Sequence, residues 1–308
     1  MAAATAGCIA GTNPENIWRL PDTTGLKNEV VMLGGRIAFD SAIRLTGAKL
    51  VLAESLDKLA PALNEQTAMI YTTWRDEDLS KALAITKHAN VPLLLDDAAG
   101  IPPFGNLARY NKLGVDLYCF SGGKGIRGPQ CAGILLGRKD LIDAALKDHN
   151  PYEGSICRPM KVGKEEMIGM LTAIETWQKI DANALNREWN SRVQRIAKLV
   201  ETVPGVSTRI YVPEEGNSYP TLRVTWDEQR FGLTVAQCDE RLRAGEPRIE
   251  VLTNSNPGIV SAVDEGSDPK HEAPKNKLEI VSMTLQDGED LIVGRRLREV
   301  LNSARSKA

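Results

Sequence analysis

The sequence contains few histidines and cysteines and no long apolar run. Its 308 residues include three histidines, which are far apart, and five cysteines without C-x-x-C spacing. Neither residue type is spaced like metal ligands, so we predict no metal site and expect buried free thiols. No stretch reaches the roughly 18 apolar residues of a membrane span, and no basic segment precedes an apolar one at the N-terminus. These absences favour a cytoplasmic protein without a membrane partner.

An excess of charge of either sign is also absent. The chain has 38 Lys and Arg residues against 40 Asp and Glu residues, which gives a formal net charge of -2. This balance does not indicate a nucleic-acid partner or an anionic membrane surface. The hydrophobic fraction of 42% is sufficient for a real core, and the length suggests about two domains.

A glycine-rich stretch around Lys124 is the strongest functional signal that is present. It reads FSGGKGIRGPQ over residues 120–130 and follows an apolar run typical of a strand buried in a parallel sheet. Glycines permit positive φ angles and the close approach of a flat ligand, and a lysine held among them can form a Schiff base with a carbonyl. The alternative interpretation is a solvated lysine in a glycine-rich hairpin. A P-loop is disfavoured because Gly125 follows the lysine where that motif requires Ser or Thr.

A carboxylate lies about one βαβ unit upstream of the lysine. The apolar run 91–95 predicts a strand, and Asp96 and Asp97 follow it directly. Residues at the carboxyl ends of parallel strands face a common crevice, so Asp96 and the lysine stretch are expected to converge there. A lysine for an aldehyde and a carboxylate for a pyridinium proton are the pair that pyridoxal phosphate (PLP) chemistry requires. We choose Asp96 over Asp97 because it comes first after the strand.

At these motifs the sequence resembles the fold-type-I PLP-dependent enzymes of the selenocysteine synthase-like group. That group includes L-seryl-tRNA(Sec) selenium transferase and D-glucosaminate-6-phosphate ammonia-lyase. The matching stretches are VPLLLDDAAGIPP at 91–103, FSGGKGIRGPQ at 120–130 and RPMKVGKEE at 158–166, with weaker similarity over 21–48. The resemblance implies an α/β, aspartate aminotransferase-like fold with a mainly parallel sheet, followed by a small C-terminal α+β domain.

The resemblance also implies roles for individual residues. Lys124 would bind PLP covalently and act as a catalytic base, and Asp96 would keep the cofactor ring protonated. Ser121, Gly122 and Gly123 would contact the cofactor.

Substrate binding is assigned to cations outside the lysine stretch. Arg158, Lys161 and Lys164 form a basic loop before a helix that starts with acidic residues, and they are free to meet a carboxylate or phosphate. A solvated basic loop is the alternative interpretation. Arg36 is a further candidate anion contact, with a surface arginine at a strand end as its alternative.

The expected reaction is β-elimination with deamination of an amino acid, such as a phosphorylated amino-sugar acid, to a 2-oxo acid. An enzyme of the L-seryl-tRNA(Sec) selenium transferase type is the alternative, although the sequence has no evident RNA-binding extension. The resemblance implies a homodimer or larger homo-oligomer, in which Gly128 and Gln130 lie near the neighbouring subunit.

Two departures from the family pattern leave open a non-catalytic, truncated member as a third alternative. Gly35 occupies a position where a histidine is expected to stack on the cofactor. Residues 1–11 predict a small-residue helix, and the phosphate-binding turn that usually precedes such a helix is expected to be missing.

Alternating strand and helix patterns predict a doubly wound sheet. Together with the resemblance they imply a large PLP-binding domain, residues 1–185, and a small domain, residues 186–308. The segment 253–276 is rich in Pro, Gly, Ser and charge, so we predict a mobile loop.

Two apolar stripes at helical spacing are predicted to face the core. They comprise Met167, Met170, Leu171, Ile174 and Trp177 in the first, and Trp189, Val193, Ile196, Val200 and Val203 in the second.

Overall fold

The computed structural model describes residues 1–214, 216–253 and 277–305. The chain divides into two compact units, Met1–Lys179 and Ile180–Ala308, and each contains one sheet. The domain boundary predicted between residues 185 and 186 stays a prediction. Apart from Thr253, which ends a strand, the predicted mobile loop 253–276 lies outside the described residues.

The first unit contains a six-stranded sheet in the order β2-β1-β3-β4-β5-β6. Its strands are β1 (Glu29–Leu33), β2 (Lys49–Ala53), β3 (Thr67–Thr72), β4 (Leu93–Asp96), β5 (Leu117–Ser121) and β6 (Gly133–Gly137). All neighbouring pairs are parallel except β5 and β6, which are antiparallel. The apolar runs of β3 and β4 are buried along their whole length, as expected for strands covered on both faces. The predicted α/β class with a mainly parallel sheet is confirmed.

Eight helices in the described part of this unit connect and cover the strands. They are α1 (Ala2–Ala10), α2 (Pro14–Arg19), α3 (Ser41–Arg44), α4 (Leu56–Ala62), α5 (Asp76–His88), α6 (Asn106–Leu113), α7 (Lys139–Lys147) and α8 (Lys164–Lys179). The predicted small-residue helix is α1, which ends at Gly11. Small residues are needed there because a Cβ on Gly7 would lie 2.6 Å from the backbone nitrogen of Ala145 in α7.

The second unit is a small α+β structure around an antiparallel sheet in the order β7-β8-β10-β9. Its elements are α9 (Ala182–Val200), β7 (Val206–Tyr211), β8 (Thr221–Trp226), α10 (Glu228–Phe231), α11 (Val235–Arg243), β9 (Leu252–Thr253), β10 (Leu278–Val281) and α12 (Glu289–Arg305). Helix α11 begins at a capping box in which Thr234 and Gln237 exchange hydrogen bonds. Strand β9 is short and contains only Leu252 and Thr253.

The two predicted apolar stripes behave differently. The second stripe is buried throughout, and it joins the core of the second unit from Val193 onward. In α8, however, only Met170 and Trp177 of the first stripe are buried, whereas Met167 and Leu171 are about half exposed. The prediction of a continuous core stripe on α8 is therefore wrong, because the apolar residues of this helix are divided between a buried and an exposed face.

The five cysteines are all free thiols, but they are not all buried. Cys157 and Cys238 are buried, Cys8 and Cys119 are partly buried, and Cys131 is exposed. Cys131 lies in the turn before β6 rather than in the strand itself, which corrects the expectation of burial.

Among the described residues, no group of three or more His, Cys, Asp and Glu side chains is arranged to hold a metal ion. No helix in the described part of the chain is long and apolar enough to cross a membrane.

Candidate active site

The candidate site lies at the carboxyl ends of neighbouring parallel strands in the first unit. Strand β4 ends at Asp96, and the adjacent strand β5 ends at Ser121 and leads into the turn that contains Lys124. The backbone N–H of Ser121 donates to the carbonyl of Ala98 at 3.1 Å. The structure therefore joins the lysine turn directly to the loop that follows Asp96, as the strand order requires.

Lys124 occupies a tight turn between β5 and β6. The turn is closed by a hydrogen bond from the backbone N–H of Arg127 to the carbonyl of Lys124 at 2.8 Å. The lysine side chain is partly buried, and within the described residues its amine has no hydrogen-bond or ion-pair partner. An amine that is held in place but not paired is available for reaction with a carbonyl.

The glycines around Lys124 do not supply the positive φ angles that we expected of them. None of Gly122, Gly123 and Gly125 has a positive φ angle; in this turn that conformation falls on Arg127, with φ of 59°. A Cβ on Gly122 would lie 2.7 Å from the Pro129 carbonyl oxygen, and Cβ atoms on the other two would overlap neighbouring chain. Glycine is thus required because the turn packs tightly on its own chain. Cofactor contact by Ser121, Gly122 and Gly123 stays a prediction.

Asp96 is almost completely buried and accepts three hydrogen bonds. The Tyr71 hydroxyl donates to Oδ2 at 2.8 Å, while the Ala98 backbone N–H at 3.1 Å and the Cys119 thiol at 3.5 Å donate to Oδ1. An ionised carboxylate offers about four lone-pair positions. Oδ2, with one protein donor, can therefore accept a second hydrogen bond from a bound ligand.

Asp97 has the surroundings of a structural residue. Its side chain is fully buried and accepts hydrogen bonds from Arg75 Nε at 2.6 Å and from the Tyr110 hydroxyl at 2.7 Å. Burial raises the pKa of Asp97, while the Arg75 guanidinium opposes that rise. Its oxygens are directed at Arg75 and Tyr110, which supports the choice of Asp96 as the catalytic carboxylate.

Two glycines and a tryptophan lie beside the end of β1. Gly34 and Gly35 have φ angles of 97° and 99°, which side chains rarely adopt. The Trp74 indole lies against Gly34, and a Cβ on Gly35 would have no neighbour within 4 Å. The position where a histidine was expected is therefore an open space whose backbone favours glycine.

Arg36 is exposed and already paired. Its guanidinium binds the buried carboxylate of Asp40 through Nε and through Nη2, the latter at 3.0 Å, and Arg44 binds the same carboxylate at 3.1 Å. The hydrogen bond from Arg36 lowers the pKa of Asp40. Anion binding by Arg36 stays a prediction, and it would have to compete with this ion pair.

The predicted basic loop does present unpaired cations. Arg158, Lys161 and Lys164 make no ion pair with any described residue, and Lys164 begins α8 ahead of Glu165 and Glu166. The Lys161 and Lys164 side chains are exposed. The Arg158 Nε is buried and lacks a hydrogen-bond partner among the described residues. A buried guanidinium nitrogen without a partner is costly, and a bound anion would satisfy it.

The residues predicted near a neighbouring subunit make contacts within their own chain. The Gly128 backbone N–H donates to the Gly122 carbonyl at 2.8 Å, and a Cβ on Gly128 would lie 3.1 Å from the Met170 sulfur of α8. Gln130 is exposed, with its side chain against Gly123. A role for either residue between subunits stays a prediction.

Asp148 is a buried acid that we did not anticipate from the sequence. It directly follows α7, its side chain is fully buried, and neither carboxyl oxygen has a hydrogen-bond partner among the described residues. Burial raises the pKa of Asp148 to about 7. The backbone N–H of Cys157 donates to the Asp148 carbonyl at 3.1 Å, and burial followed by the charge of Asp148 raises the pKa of the Cys157 thiol to about 11.

We expect Asp148 to make the stability of the protein fall as the pH rises. The native state holds the proton more tightly than the unfolded chain, where the ordinary pKa is 3.8. The stabilisation is thus fully present below about pH 4 and is lost as the pH rises to about 7. From about pH 4 to about pH 8, the wild type should lose about 4 kcal/mol of its free energy of unfolding through this group. Asp148→Asn has no such titration, so its free energy of unfolding should rise by about 4 kcal/mol relative to wild type over the same range. Denaturant titrations at both pH values measure this difference.

Asp143→Asn is the matched control, because Asp143 lies on α7, is half exposed and pairs with Lys139 at 2.6 Å. Its free energy of unfolding should follow the wild-type pH dependence to within about 1 kcal/mol. An Asp148→Asn variant with the same pH dependence as wild type would show that Asp148 is not held protonated.

Comparison with known proteins supports the resemblance seen in the motifs. The chain is 32% identical to the 5'-C-glycyluridine monooxygenase-decarboxylase of Streptomyces sp over 81% of the chain. It is 26% identical to the D-glucosaminate-6-phosphate ammonia lyase of Salmonella typhimurium over 99% of the chain. It spans 65% of the first relative's length and 79% of the second's.

More limited matches and a solved structure extend this comparison. An L-seryl-tRNA(Sec) selenium transferase of Geobacter metallireducens is 29% identical over 40% of the chain and 31% of its own length. A solved structure of D-glucosaminate-6-phosphate ammonia-lyase superposes with a TM-score of 0.75 and 25% identity, covering 98% of this chain and 79% of that one. No protein-family model matches the chain.

The fold is that of the PLP-dependent enzymes of fold type I. Within that class, the chain is similar to members of the selenocysteine synthase-like group.

The described residues fit the cofactor of this class. Lys124 offers an unpaired amine, Asp96 offers an unused acceptor position, and Gly35 leaves open space beside the end of β1. The unpartnered Nε of Arg158 is suited to an anionic group.

Proposed function

We propose that this chain forms a PLP-dependent lyase that removes a β-substituent and ammonia from an amino acid and yields a 2-oxo acid. The observation that carries the proposal is the unpaired amine of Lys124, in a turn bonded to the loop that follows the buried carboxylate of Asp96. Similarity to an ammonia lyase over 99% of the chain supports the reaction class.

Each of the two residues has a defined task in this reaction. When bound, PLP supplies an electron sink for negative charge at the α-carbon of the substrate. Lys124 would hold the cofactor before the substrate arrives, and its amine, once released, would remove the α-proton. Asp96 would hold the proton on the ring nitrogen through the free position on Oδ2. The turn around Lys124, whose glycines pack closely against neighbouring chain, would keep the amine in place between these steps.

We propose a substrate with a strongly anionic group, as in a phosphorylated amino-sugar acid. Arg158, Lys161 and Lys164 have no ion-pair partner among the described residues, so their charges are available to a phosphate or carboxylate. Arg36 is a weaker candidate because it already binds Asp40. The substrate named for the ammonia-lyase relative carries both a carboxylate and a phosphate, which fits this arrangement.

The test is to supply the PLP-loaded protein with a phosphorylated 2-amino sugar acid and with its unphosphorylated counterpart, and to measure ammonia and 2-oxo acid. We expect both products from the phosphorylated compound. Arg158→Ala should raise its KM about tenfold or more, since a charge-assisted hydrogen bond is lost. Lys112→Ala, at an exposed lysine on α6, is the matched loss of one positive charge and should leave KM unchanged. Loaded protein that releases no ammonia from either compound would contradict the proposal.

A second candidate is removal of the substrate carboxylate, which the 32% identity to the monooxygenase-decarboxylase favours. The same lysine and aspartate would serve it, because both reactions need negative charge stabilised at the α-carbon. Release of carbon dioxide without ammonia would select this reaction.

A selenium transferase is a further candidate, supported by a match over 40% of the chain. An enzyme of this kind should show turnover only with seryl-tRNA.

We also propose that the protein assembles at least into a homodimer. Helix α8 exposes three large apolar side chains on one face: Met167 is 52% exposed, Ile168 63% and Leu171 51%. An apolar face of this kind on a helix is typical of an interaction surface. A dimer of this class is expected to bury roughly 2,000 Å² or more and to place two equivalent sites about its twofold axis.

Light scattering should show a dimer or larger assembly for the wild type at micromolar concentration. The double substitution Ile168→Glu and Leu171→Glu should shift the protein to a monomer, because two buried charges would oppose association. Thr176→Glu is the control, since Thr176 is exposed on another face of α8 and should leave the assembly intact. A monodisperse wild-type monomer that binds PLP would contradict this proposal.

A further inference from the structure

Asp96 lies between two side chains that neighbouring strands bring to it. Tyr71 on β3 is the register partner of Leu94 on β4, two residues before Asp96, and Cys119 on β5 is the partner of Asp96 itself. Side chains alternate along a strand, and paired residues of parallel strands point to the same face. Tyr71, Asp96 and Cys119 therefore share one face of the sheet, with the carboxylate in the middle.

The hydrogen bonds around Asp96 are those of an acceptor that is fixed from both sides. Tyr71 holds Oδ2 at 2.8 Å, and the Ala98 backbone N–H and the Cys119 thiol hold Oδ1 at 3.1 and 3.5 Å. Every partner is a donor, and a carboxylate held by donors on both oxygens cannot rotate without breaking one of them.

Both side-chain donors remain protonated under ordinary conditions. Burial, reinforced by the charge of Asp96, raises the pKa of Tyr71 far above its usual range. Burial raises the pKa of the Cys119 thiol to about 12, again with Asp96 as the next cause. The two groups are thus unsuited to act as nucleophile or base, and they are suited to donate to Asp96 throughout the neutral pH range.

We propose that Tyr71 and Cys119 are positioning residues that fix the Asp96 carboxylate so that the remaining acceptor position on Oδ2 points at the ring nitrogen of bound PLP. This inference rests on the proposed function, since it assigns Asp96 to the cofactor ring. Tyr71 carries the larger share, because its contact is shorter, engages the same oxygen that the ring would use, and comes from a stronger donor than a thiol.

The neighbouring acid provides a matched comparison. Tyr110 donates to Asp97 Oδ2 at 2.7 Å, so Tyr110→Phe removes the same hydroxyl group from the adjacent carboxylate. Tyr71→Phe and Tyr110→Phe are therefore chemically identical changes at two buried tyrosine–aspartate pairs. A purely structural role for Tyr71 predicts that the two variants differ from wild type only in stability.

The experiment titrates apoprotein with PLP and follows the visible absorbance of the bound cofactor against pH. We expect Tyr71→Phe to raise the Kd for PLP about tenfold and to move the pH midpoint of the absorbance change by about one unit. Tyr110→Phe should lower Tm and leave both quantities at the wild-type value. Cys119→Ala should raise Kd about threefold, and Cys119→Ser, which keeps a donor, should restore it.

Three outcomes decide the matter. If the Tyr71→Phe variant has the wild-type Kd for PLP and the wild-type pH midpoint of the absorbance change, the inference is overturned while the proposed function stands. If Tyr71→Phe does not fold, the Cys119 pair decides: equal Kd values for Cys119→Ala and Cys119→Ser overturn it. Wild-type protein that fails to bind PLP would overturn the proposed function and the inference together.

Discussion

Replacing Lys124 with alanine should abolish both the visible absorbance of bound PLP and all measurable turnover, while the protein stays folded. The amine is the expected covalent attachment point and the expected base, so both tasks are lost at once. Stability should change by less than about 1 kcal/mol, because the partly buried side chain has no hydrogen-bond or ion-pair partner among the described residues. Absorbance spectra, turnover assays and thermal melts of the purified variant give the three readouts.

Lys112→Ala serves as the control for this variant, since it also removes one lysine from the first unit and should keep wild-type absorbance and turnover. If Lys124→Ala kept the visible absorbance band, another lysine would hold the cofactor.

The second large effect is expected from Asp96→Asn. This variant should still bind PLP when the cofactor is in excess, but it should lose about a hundredfold or more in kcat. An amide cannot hold the ring proton by charge, although it nearly preserves the shape of the side chain and its one carbonyl oxygen can still accept a hydrogen bond. Steady-state kinetics at saturating PLP measure the loss.

Asp97→Asn is the matched control, because it makes the same change at the next residue. It should lower stability, since Asp97 is buried against Arg75 and Tyr110, and should retain far more activity than Asp96→Asn. The reverse pattern, with Asp96→Asn near wild type and Asp97→Asn inactive, would exchange the roles of the two acids.

The alternation of strands and helices and the convergence of the site could be predicted because local sequence patterns indicate the strands and their ends. Apolar runs bounded by polar residues predicted β4 and β5, and the carboxyl ends of adjacent parallel strands meet by geometry. These two rules place Asp96 and the Lys124 turn at the same edge of the sheet, where the Ser121 N–H donates to the Ala98 carbonyl.

Properties that depend on contacts between distant segments could not be predicted. The role of Tyr71 requires the register between β3 and β4, and a tyrosine inside an apolar strand looks like an ordinary core residue. The burial of Asp148 without a hydrogen-bond partner could not be predicted from the sequence either, because tertiary packing and not its neighbours in sequence buries it. A short polar residue directly after a helix is more often exposed to solvent than buried.

The glycines near Lys124 and the apolar residues of α8 have roles in the structure that their sequence patterns did not indicate. Glycine at position 125 signalled conformational freedom in the sequence, but in the structure it is needed because the backbone of Ile101 lies against it. Helical spacing correctly identified α8, yet spacing alone cannot tell a face buried in the chain, such as that of Met170, from an exposed one, such as that of Leu171.

The most direct test of the central assignment is reduction of the PLP-loaded wild-type protein with borohydride, followed by proteolysis and mass spectrometry. Reduction makes the bond between the lysine and the cofactor permanent, so the modified peptide identifies the attachment point. We predict that the cofactor mass is found on the peptide that contains Lys124 and on no other lysine. Recovery of the reduced cofactor on a different lysine, or an unmodified Lys124 peptide from protein that retains the cofactor, would contradict the account.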